Sequence, residues 1–363
     1  MLARLPFEIV DHIVGYLDVE DVRSIARVCS AFRLPAQIQL FKTINIESSP
    51  FDAKACTDRI KSILSSPHLL QYSSCLRVQC IGSMQQTAIQ SLWRHLPVMY
   101  RLRKLYISLE PGDCSRALSA LESLGSGREI ALGFMRNLAP DLLISDNPIP
   151  IHILELRVGA SNHQVATRLV QKCSQSLRQL RLFLQDNTTP PLPFLPHLYE
   201  FFVHTHPREI GNGLDLMSFF PFLDQNPTIT RLLLGCEFTL AVQPPPNLLP
   251  NLQFLEATPP IIERLISGRP VNDIDAICPP QASRFPVDIM LQPLRQSFVP
   301  VTTLAIDADI PLPYDSLINI VRALPKLRKF TLGWPWYEVR QLFEGRMYSE
   351  LTGTRPLSPW KAY

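Results

Sequence analysis

Leu177-Arg178-Gln179-Leu180-Arg181-Leu182 places apolar residues at its first, fourth and sixth positions, and that spacing returns along most of the chain. Leu102-x-x-Leu105-x-Ile107, Ile151-x-x-Leu154-x-Leu156 and Leu198-x-x-Phe201-x-Val203 repeat it. So do Ile229-x-x-Leu232-x-Leu234, Leu252-x-x-Leu255-x-Ala257, Val301-x-x-Leu304-x-Ile306 and Leu327-x-x-Phe330-x-Leu332. Leu76-x-Val78, Ile130-x-Leu132 and Ile274-x-Ala276 are shorter copies. A two-residue spacing puts both side chains on one face of a short strand, and the earlier apolar residue is available to fill the interior. The middle residues (76, 105, 130, 154, 180, 201, 232, 255, 274, 304, 330) follow one another at 19 to 31 residues.

Segments between these strands have helical spacing. Asn162 is placed to cap a helix bearing Val165, Ala166, Leu169, Val170 and Cys173; Thr258-Pro259-Pro260 opens one bearing Ile262, Leu265 and Ile266, with Gly268 at the expected stop. Ala88/Ile89/Leu92/Leu96 and Leu317/Ile320/Val321/Leu324 give two more helices. The 34 prolines cluster at joints such as Pro190-Pro191, Pro244-Pro245-Pro246 and Pro279-Pro280, where a fixed φ suits a connector and no central ladder needs the missing N–H. A period of about 25 residues lies within the 20–29 of leucine-rich repeats, and this part of the chain resembles a degenerate array of them. It departs from the regular pattern because Gln185, Glu237 and Pro260 stand where an asparagine or cysteine is expected. The spacing around 270–300 leaves room for an irregular insertion. A conventional α/β domain with an apolar strand every 25 residues or so is the alternative.

The first 45 residues carry a different period. Pro6 suits the opening of a helix, and Ile9, Ile13, Tyr16 and Leu17 form one apolar stripe. Asp18 is placed to cap a second helix bearing Val22, Ile25, Ala26 and Cys29. Pro35 marks the expected start of a third, bearing Ile38 and Phe41. Three helices in about 40 residues bury little surface alone, so they pack on the rest of the chain or reserve a face for a partner.

Leu5-Pro6-x-Glu8-Ile9, then Ile13 and Leu17, then Val28-Cys29-x-x-Phe32-Arg33, and Leu40-Phe41-x-x-Ile44 together resemble an F-box. Phe32 replaces the tryptophan of many members and keeps an aromatic anchor. The resemblance implies docking on a Skp1-like adaptor, and through it a cullin, by Leu5, Pro6, Ile9, Ile13, Leu17, Val28, Cys29 and Phe32, with Glu8 orienting the helix opening. It implies a non-catalytic substrate receptor of an SCF-type ubiquitin ligase. A Skp1-binding scaffold without ubiquitin transfer is the alternative, and an α/β enzyme a third reading. The expected organisation is α/β: an F-box of three helices (1–46), an irregular leucine-rich-repeat-like solenoid of short parallel strands and helices (47–335), and a capping helix and tail (336–363). Strand neighbours Arg103, Tyr106, Glu155, Arg157, Arg181, Phe183 and Phe202 are candidates for contact with a protein target.

Composition narrows the remaining possibilities. With 35 Lys+Arg against 32 Asp+Glu and no dense basic run, nucleic acid is not the expected partner. No apolar stretch reaches the roughly 20 residues of a membrane span, and the start lacks the apolar core of a signal peptide. Eight scattered cysteines then read as buried thiols, and the expected compartment is cytoplasm or nucleus. Phosphate loops, nucleophile elbows and H-E-x-x-H are missing from the sequence. Cys75 and Cys80 lack a second pair, and His204-Thr205-His206 lacks a third ligand, so neither metal nor cofactor is expected.

Overall fold

The computed structural model describes residues 5–48, 53–80, 86–108, 111–122, 130–134, 147–186, 188–205, 214–235, 238–240, 242–278, 287–307 and 312–332. The expected capping helix at 336–363 and the joint Pro279-Pro280 lie outside these residues. The chain is mixed α/β and falls into two compact units, one spanning 1–183 with 188–197 and the other 184–187 with 198–363.

The first unit opens with α1 (Phe7–Gly15), α2 (Val19–Val28) and α3 (Ser30–Lys42). Strands and helices then alternate: β1 (Thr43–Ser48), α4 (Ala53–Leu64), β2 (Cys75–Cys80), α5 (Gln86–Arg94), β3 (Lys104–Ser108) and α6 (Pro111–Glu122). β4 (Ile130–Phe134), β5 (Ile151–Val158), α7 (His163–Cys173) and β6 (Gln179–Leu184) complete it. Its strands lie side by side in chain order, as a strand–helix solenoid requires. Ile44 faces Leu76, Leu76 faces Leu105, Leu105 faces Leu132 and Leu132 faces Leu154 across parallel neighbours. All five are buried.

This register corrects two expectations. The ladder residue of β4 is Leu132, two positions beyond Ile130, and the pairing shifts between Ile130 and Ala131. All five residues of β4 are buried, so no polar alternation exists from which a register could be read. The ladder also begins one strand earlier than the triplets indicate, at β1, directly after α3.

In the second unit β7 (Glu200–Thr205), β8 (Leu214–Asp215) and α8 (Phe220–Gln225) lead to β9 (Arg231–Gly235) and β10 (Phe238–Thr239). β11 (Phe254–Ala257), α9 (Pro259–Leu265), β12 (Asp273–Ile277), α10 (Val287–Arg295), β13 (Thr303–Asp307), α11 (Tyr314–Ala323) and β14 (Lys329–Leu332) follow. Among the described residues of 270–300, where an irregular insertion was expected, β12 and α10 keep the alternation of strand and helix. β8 and β10 form a separate parallel pair, and the other strands carry the row Phe201, Leu232, Leu255, Ile274, Leu304 and Phe330 in register.

A backbone device supplements this apolar row. At six ladder positions the carbonyl two residues earlier accepts two successive N–H groups from the next repeat. Tyr199 accepts from Thr230 and Arg231, Thr230 from Gln253 and Phe254, and Gln253 from Asn272 and Asp273, all at 2.8–3.1 Å. Asn272 and Thr302 continue the series, and Ser74 does the same in the first unit for Arg103 and Lys104. These shared carbonyls hold the strand entries together where the sequence lacks an asparagine ladder. Polar side chains add to them: Ser176, Thr228 and Asn251 each stand four residues before a ladder residue. They donate to carbonyls of Ile151 at 2.9 Å, Leu198 at 2.7 Å and Pro227 at 2.9 Å, respectively.

Asn162 does not cap α7 as expected; its side chain accepts from the Gly159 N–H at 2.8 Å and donates to the Arg157 carbonyl at 3.1 Å, closing the turn out of β5. Thr258 and Gly268 fall at the predicted ends of the α9 segment, and Gly268 has φ of +73°. Next to it Arg269 is 1% exposed. Its guanidinium donates to the carbonyls of Leu248 (2.7 Å), Leu265 (2.8 Å), Pro245 (2.9 Å) and Ser267 (3.0 Å). Burial pulls its pKa below the ordinary arginine value, yet guanidinium remains charged. One arginine thereby ties the proline-rich connector at 244–246 to the end of α9. Arg269→Met, which keeps the apolar bulk and strands four carbonyls, is expected to destabilise the chain by about 3 kcal/mol or more. Urea denaturation followed by circular dichroism measures this, and a shift under about 0.5 kcal/mol would contradict the assigned role.

Candidate functional site

Helix α1 is apolar on two sides. Pro6 caps it, its carbonyl accepting the Ile9 and Val10 N–H groups at 3.1 and 3.2 Å. Val10 and Val14, one turn apart, turn inward and form a small core with Val22, Phe32 and Ala36. Leu17, Ile25, Ala26, Cys29 and Leu40 pack against it, half-buried. The stripe one residue ahead, Leu5, Ile9 and Ile13, points to solvent, and Ile9 is 48% exposed. Asp18 caps α2 as predicted, accepting the Asp21 N–H at 2.8 Å.

Of the residues expected to meet an adaptor, Leu5, Pro6, Glu8, Ile9, Ile13 and Val28 are exposed, while Leu17 and Cys29 are half-buried. Phe32 is a correction: at 3% exposed it belongs to the helices' own core, with no surface left to present. Glu8 lies in the first turn, where a negative charge suits the helix dipole, and no side chain caps this end of α1. α3 starts at Ser30 rather than Pro35, and Pro35 sits buried inside it. Its missing N–H frees one carbonyl, and its ring shares the buried face with Phe32 and Ala36. Phe7, Tyr16, Val19 and Leu34 are further exposed apolar residues that the sequence reading left out as site residues. Among the described residues, eight of the seventeen exposed large hydrophobics fall between Leu5 and Leu34. Exposed apolar residues so concentrated in one segment make it the candidate interaction surface of the chain.

Residues 2–47 match the F-box-like family. Among curated proteins no significant match to the chain is found. The F-box-like segment thus comprises α1, α2, α3 and most of β1, and its final residues Ile44 and Ile46 are already buried ladder positions of the sheet. At the α3–β1 junction Ser73 donates to the Phe41 carbonyl at 2.9 Å and Ser74 to that of Lys42 at 3.1 Å. Helical segment and first repeat are one folded piece.

The outward positions of the strands form a second surface. In the first unit Arg77 lies over the Tyr106 ring at 5.2 Å. Gly133, register partner of Tyr106, has no side chain there; a Cβ would lie 2.6 Å from the ring. Glu155, beside Gly133, pairs with Arg181 at 3.2 Å. Of the strand candidates, Arg103 and Arg157 are exposed, and Tyr106, Glu155, Arg181, Phe183 and Phe202 are half-exposed. In the second unit Arg231 pairs with Glu200 at 3.1 Å and lies over Phe254 at 4.1 Å. Glu256 and Asp275 face each other across β11 and β12. Burial, then the Asp275 charge, raises Glu256 to about 7 against the pull of Arg231. Asp275 is likewise raised by burial and by Asp307 and Asp273.

The histidine and cysteine pairs weighed above as metal ligands sit as follows. His204 stacks on Phe202, and a Cβ on its register partner Gly235 would strike its ring; His206 lies outside the described residues. Cys75 and Cys80 are opposite ends of β2. Among the described residues no three His, Cys, Asp or Glu side chains group as metal ligands. A cavity of about 600 Å³ in the first unit is lined by Glu122, His152, Lys172, Ser176, Arg178 and His197 among others. The Ser176 hydroxyl in it has one proton to donate and three backbone carbonyls within reach, Ile151 at 2.9 Å and Ile149 and Cys173 at 3.2 Å, which suits a structural bridge rather than a nucleophile.

The folded chain holds the Glu256 proton more tightly than the unfolded chain, so this group contributes stability below the ordinary carboxyl pKa and loses it as pH rises through about 7. Melting temperature is expected to fall between about pH 5 and pH 8, and Glu256→Gln to flatten that fall and raise the melting temperature at pH 8. Melting profiles of both proteins decide it; superimposable pH dependences would refute the assignment.

Proposed function

We propose that the chain is a non-catalytic adaptor-docking subunit whose F-box-like segment binds a Skp1-type protein, and whose strand–helix repeats hold a protein target for ubiquitin transfer by a cullin-based ligase. The observation that supports this most is the solvent-facing stripe Leu5, Ile9 and Ile13 on a helix whose other side is already buried in its own core. A helix that needed only to pack on its own chain would hide one stripe and make the other polar. Burying a large apolar side chain contributes about 1.5–3 kcal/mol. Leu5, Ile9, Ile13 and Val28 with the neighbouring Phe7 and Tyr16 would therefore offset the roughly 4–15 kcal/mol cost of association. Stable interfaces of this kind bury about 1,200–2,000 Å².

Transfer by such a subunit needs no nucleophile of its own. Fixing a target lysine near a ubiquitin thioester converts a bimolecular encounter into an effectively intramolecular one; the repeats have only to be rigid and to recognise the target. The degenerate leucine-rich-repeat character of the repeats belongs to the same proposal, as does a cytoplasmic or nuclear location, where the ligase machinery operates.

Leu5→Asp combined with Ile13→Asp is expected to abolish co-purification of a Skp1-type adaptor while changing folding stability by about 1 kcal/mol or less, since both side chains are more than a third exposed and lie outside the small core. Phe32→Ala should behave differently, costing about 3–5 kcal/mol because it empties the small core. Pull-downs paired with thermal melts separate the two. Undiminished adaptor recovery by the double variant would refute the docking surface, and recovery of adaptor without cullin would reduce the proposal to a scaffold.

A further inference from the structure

The near-neutral formal charge of the sequence conceals two strand faces of opposite sign. At the outward strand positions of the first unit, Arg77, Lys104, Arg157 and Arg181 stand against two acidic positions, Glu47 on β1, in register with Gln79, and Glu155, which Arg181 already holds at 3.2 Å. Arg77, Lys104 and Arg157 are exposed, and none makes an ion pair with a described residue. The corresponding face of the second unit has Glu200, Glu256, Asp273, Asp275 and Asp307 against Arg231 and Lys329.

We propose that the outward strand face of the first unit is the docking surface for an acidic segment of a protein target. This rests on the receptor role proposed above and names the chemistry of its substrate. Three features beyond the sign of the charge support it. Arg77, Tyr106, Gly133, Glu155 and Arg181 follow one another across β2 to β6, in register from Arg77 to Glu155. At about 4.8 Å per strand this row is roughly 19 Å long, the span of about six extended residues. Its members are also held in place before any partner arrives. Arg77 covers the Tyr106 ring, Gly133 leaves space for that ring, and Arg181 fixes Glu155, so little side-chain freedom is lost on binding. Finally, arginine and tyrosine are the residues that most often carry interface energy. The fixed carboxylate of Glu155, fourth in the row of five, opposes a phosphate backbone, whereas a protein segment can set its carboxylates on Arg77, Lys104 and Arg157 and an aromatic or aliphatic residue on Tyr106.

The test is fluorescence anisotropy on the full chain with a labelled glutamate-rich peptide containing one phenylalanine, against its lysine-rich counterpart and a single-stranded oligonucleotide of equal charge. The expected result is salt-sensitive binding of the glutamate peptide alone, weakened about tenfold or more by Arg77→Glu with Lys104→Glu and Arg157→Glu, a loss of about 1.4 kcal/mol. Should that variant fail to fold, Arg77→Gln with Lys104→Gln and Arg157→Gln replaces it with the same expectation in direction. Equal affinity for the lysine peptide, tighter binding of the oligonucleotide, or unaltered binding by both variants would overturn the proposal. Adaptor recovery measured on the same proteins keeps the two ideas apart. Peptide binding without adaptor recovery sinks the docking role and leaves the acidic-segment surface standing, and the reverse sinks this surface alone.

Discussion

A strand in a parallel ladder has its pairing groups on both edges and its apolar side chains on one face, so it is stable only when a neighbour and a covering segment arrive together. Most repeats meet that constraint with a helix after the strand, whereas the described residues between β6 and β7 and between β9 and β11 cover the strands with turns and irregular chain. Leu76 faces Leu105 and Leu132 faces Leu154 in one unit, and Leu232 faces Leu255 and Ile274 faces Leu304 in the other. Just outside the strands, six carbonyls, Ser74 in the first unit and Tyr199, Thr230, Gln253, Asn272 and Thr302 in the second, each take two N–H groups from the next repeat. The apolar row supplies most of the stabilisation, and the shared carbonyls limit sliding between repeats.

The helical start is subject to the same constraint. α3 passes into β1 without a linker, and Ile44 and Ile46 enter the ladder. The three helices therefore borrow rigidity from the repeats while building only a small core of their own around Phe32. That economy leaves Leu5, Ile9 and Ile13 uncovered. An adaptor seated on them would be held in a defined orientation to the first unit, as positioning a target for chemistry requires.

Much of this was legible in the chain. The apolar triplets located the strands because period two survives wherever one face is buried and the other wet, as at Leu180 and Leu182. It failed at β4, where the second face is covered as well and Leu132 replaces Ile130. The helix caps show the same division: Asp18 caps α2 as its residue type indicates, whereas Asn162 spends its side chain on the turn before α7. Phe32 was named with the exposed residues because an aromatic at that spacing looks the same from either side of a helix; only the packing of Val10, Val14 and Val22 shows which way it turns. Serine, threonine or asparagine ahead of Leu177, Ile229 and Leu252 was a signal present in the sequence and not used.

By itself, then, the sequence determined where apolar side chains recur, and hence the number and spacing of most strands, the helical character of the start, and the lack of any familiar local catalytic motif. Those are properties of neighbours along the chain, within reach of a strand or a helical turn. Tertiary structure alone decided the register, the four-carbonyl grip of Arg269, the burial of Phe32 against the exposure of Ile9, and the separation of basic and acidic strand faces. Each of these depends on residues some twenty or more positions apart meeting across a ladder or a core, and backbone carbonyls that make the decisive bonds carry no mark of their own in the sequence.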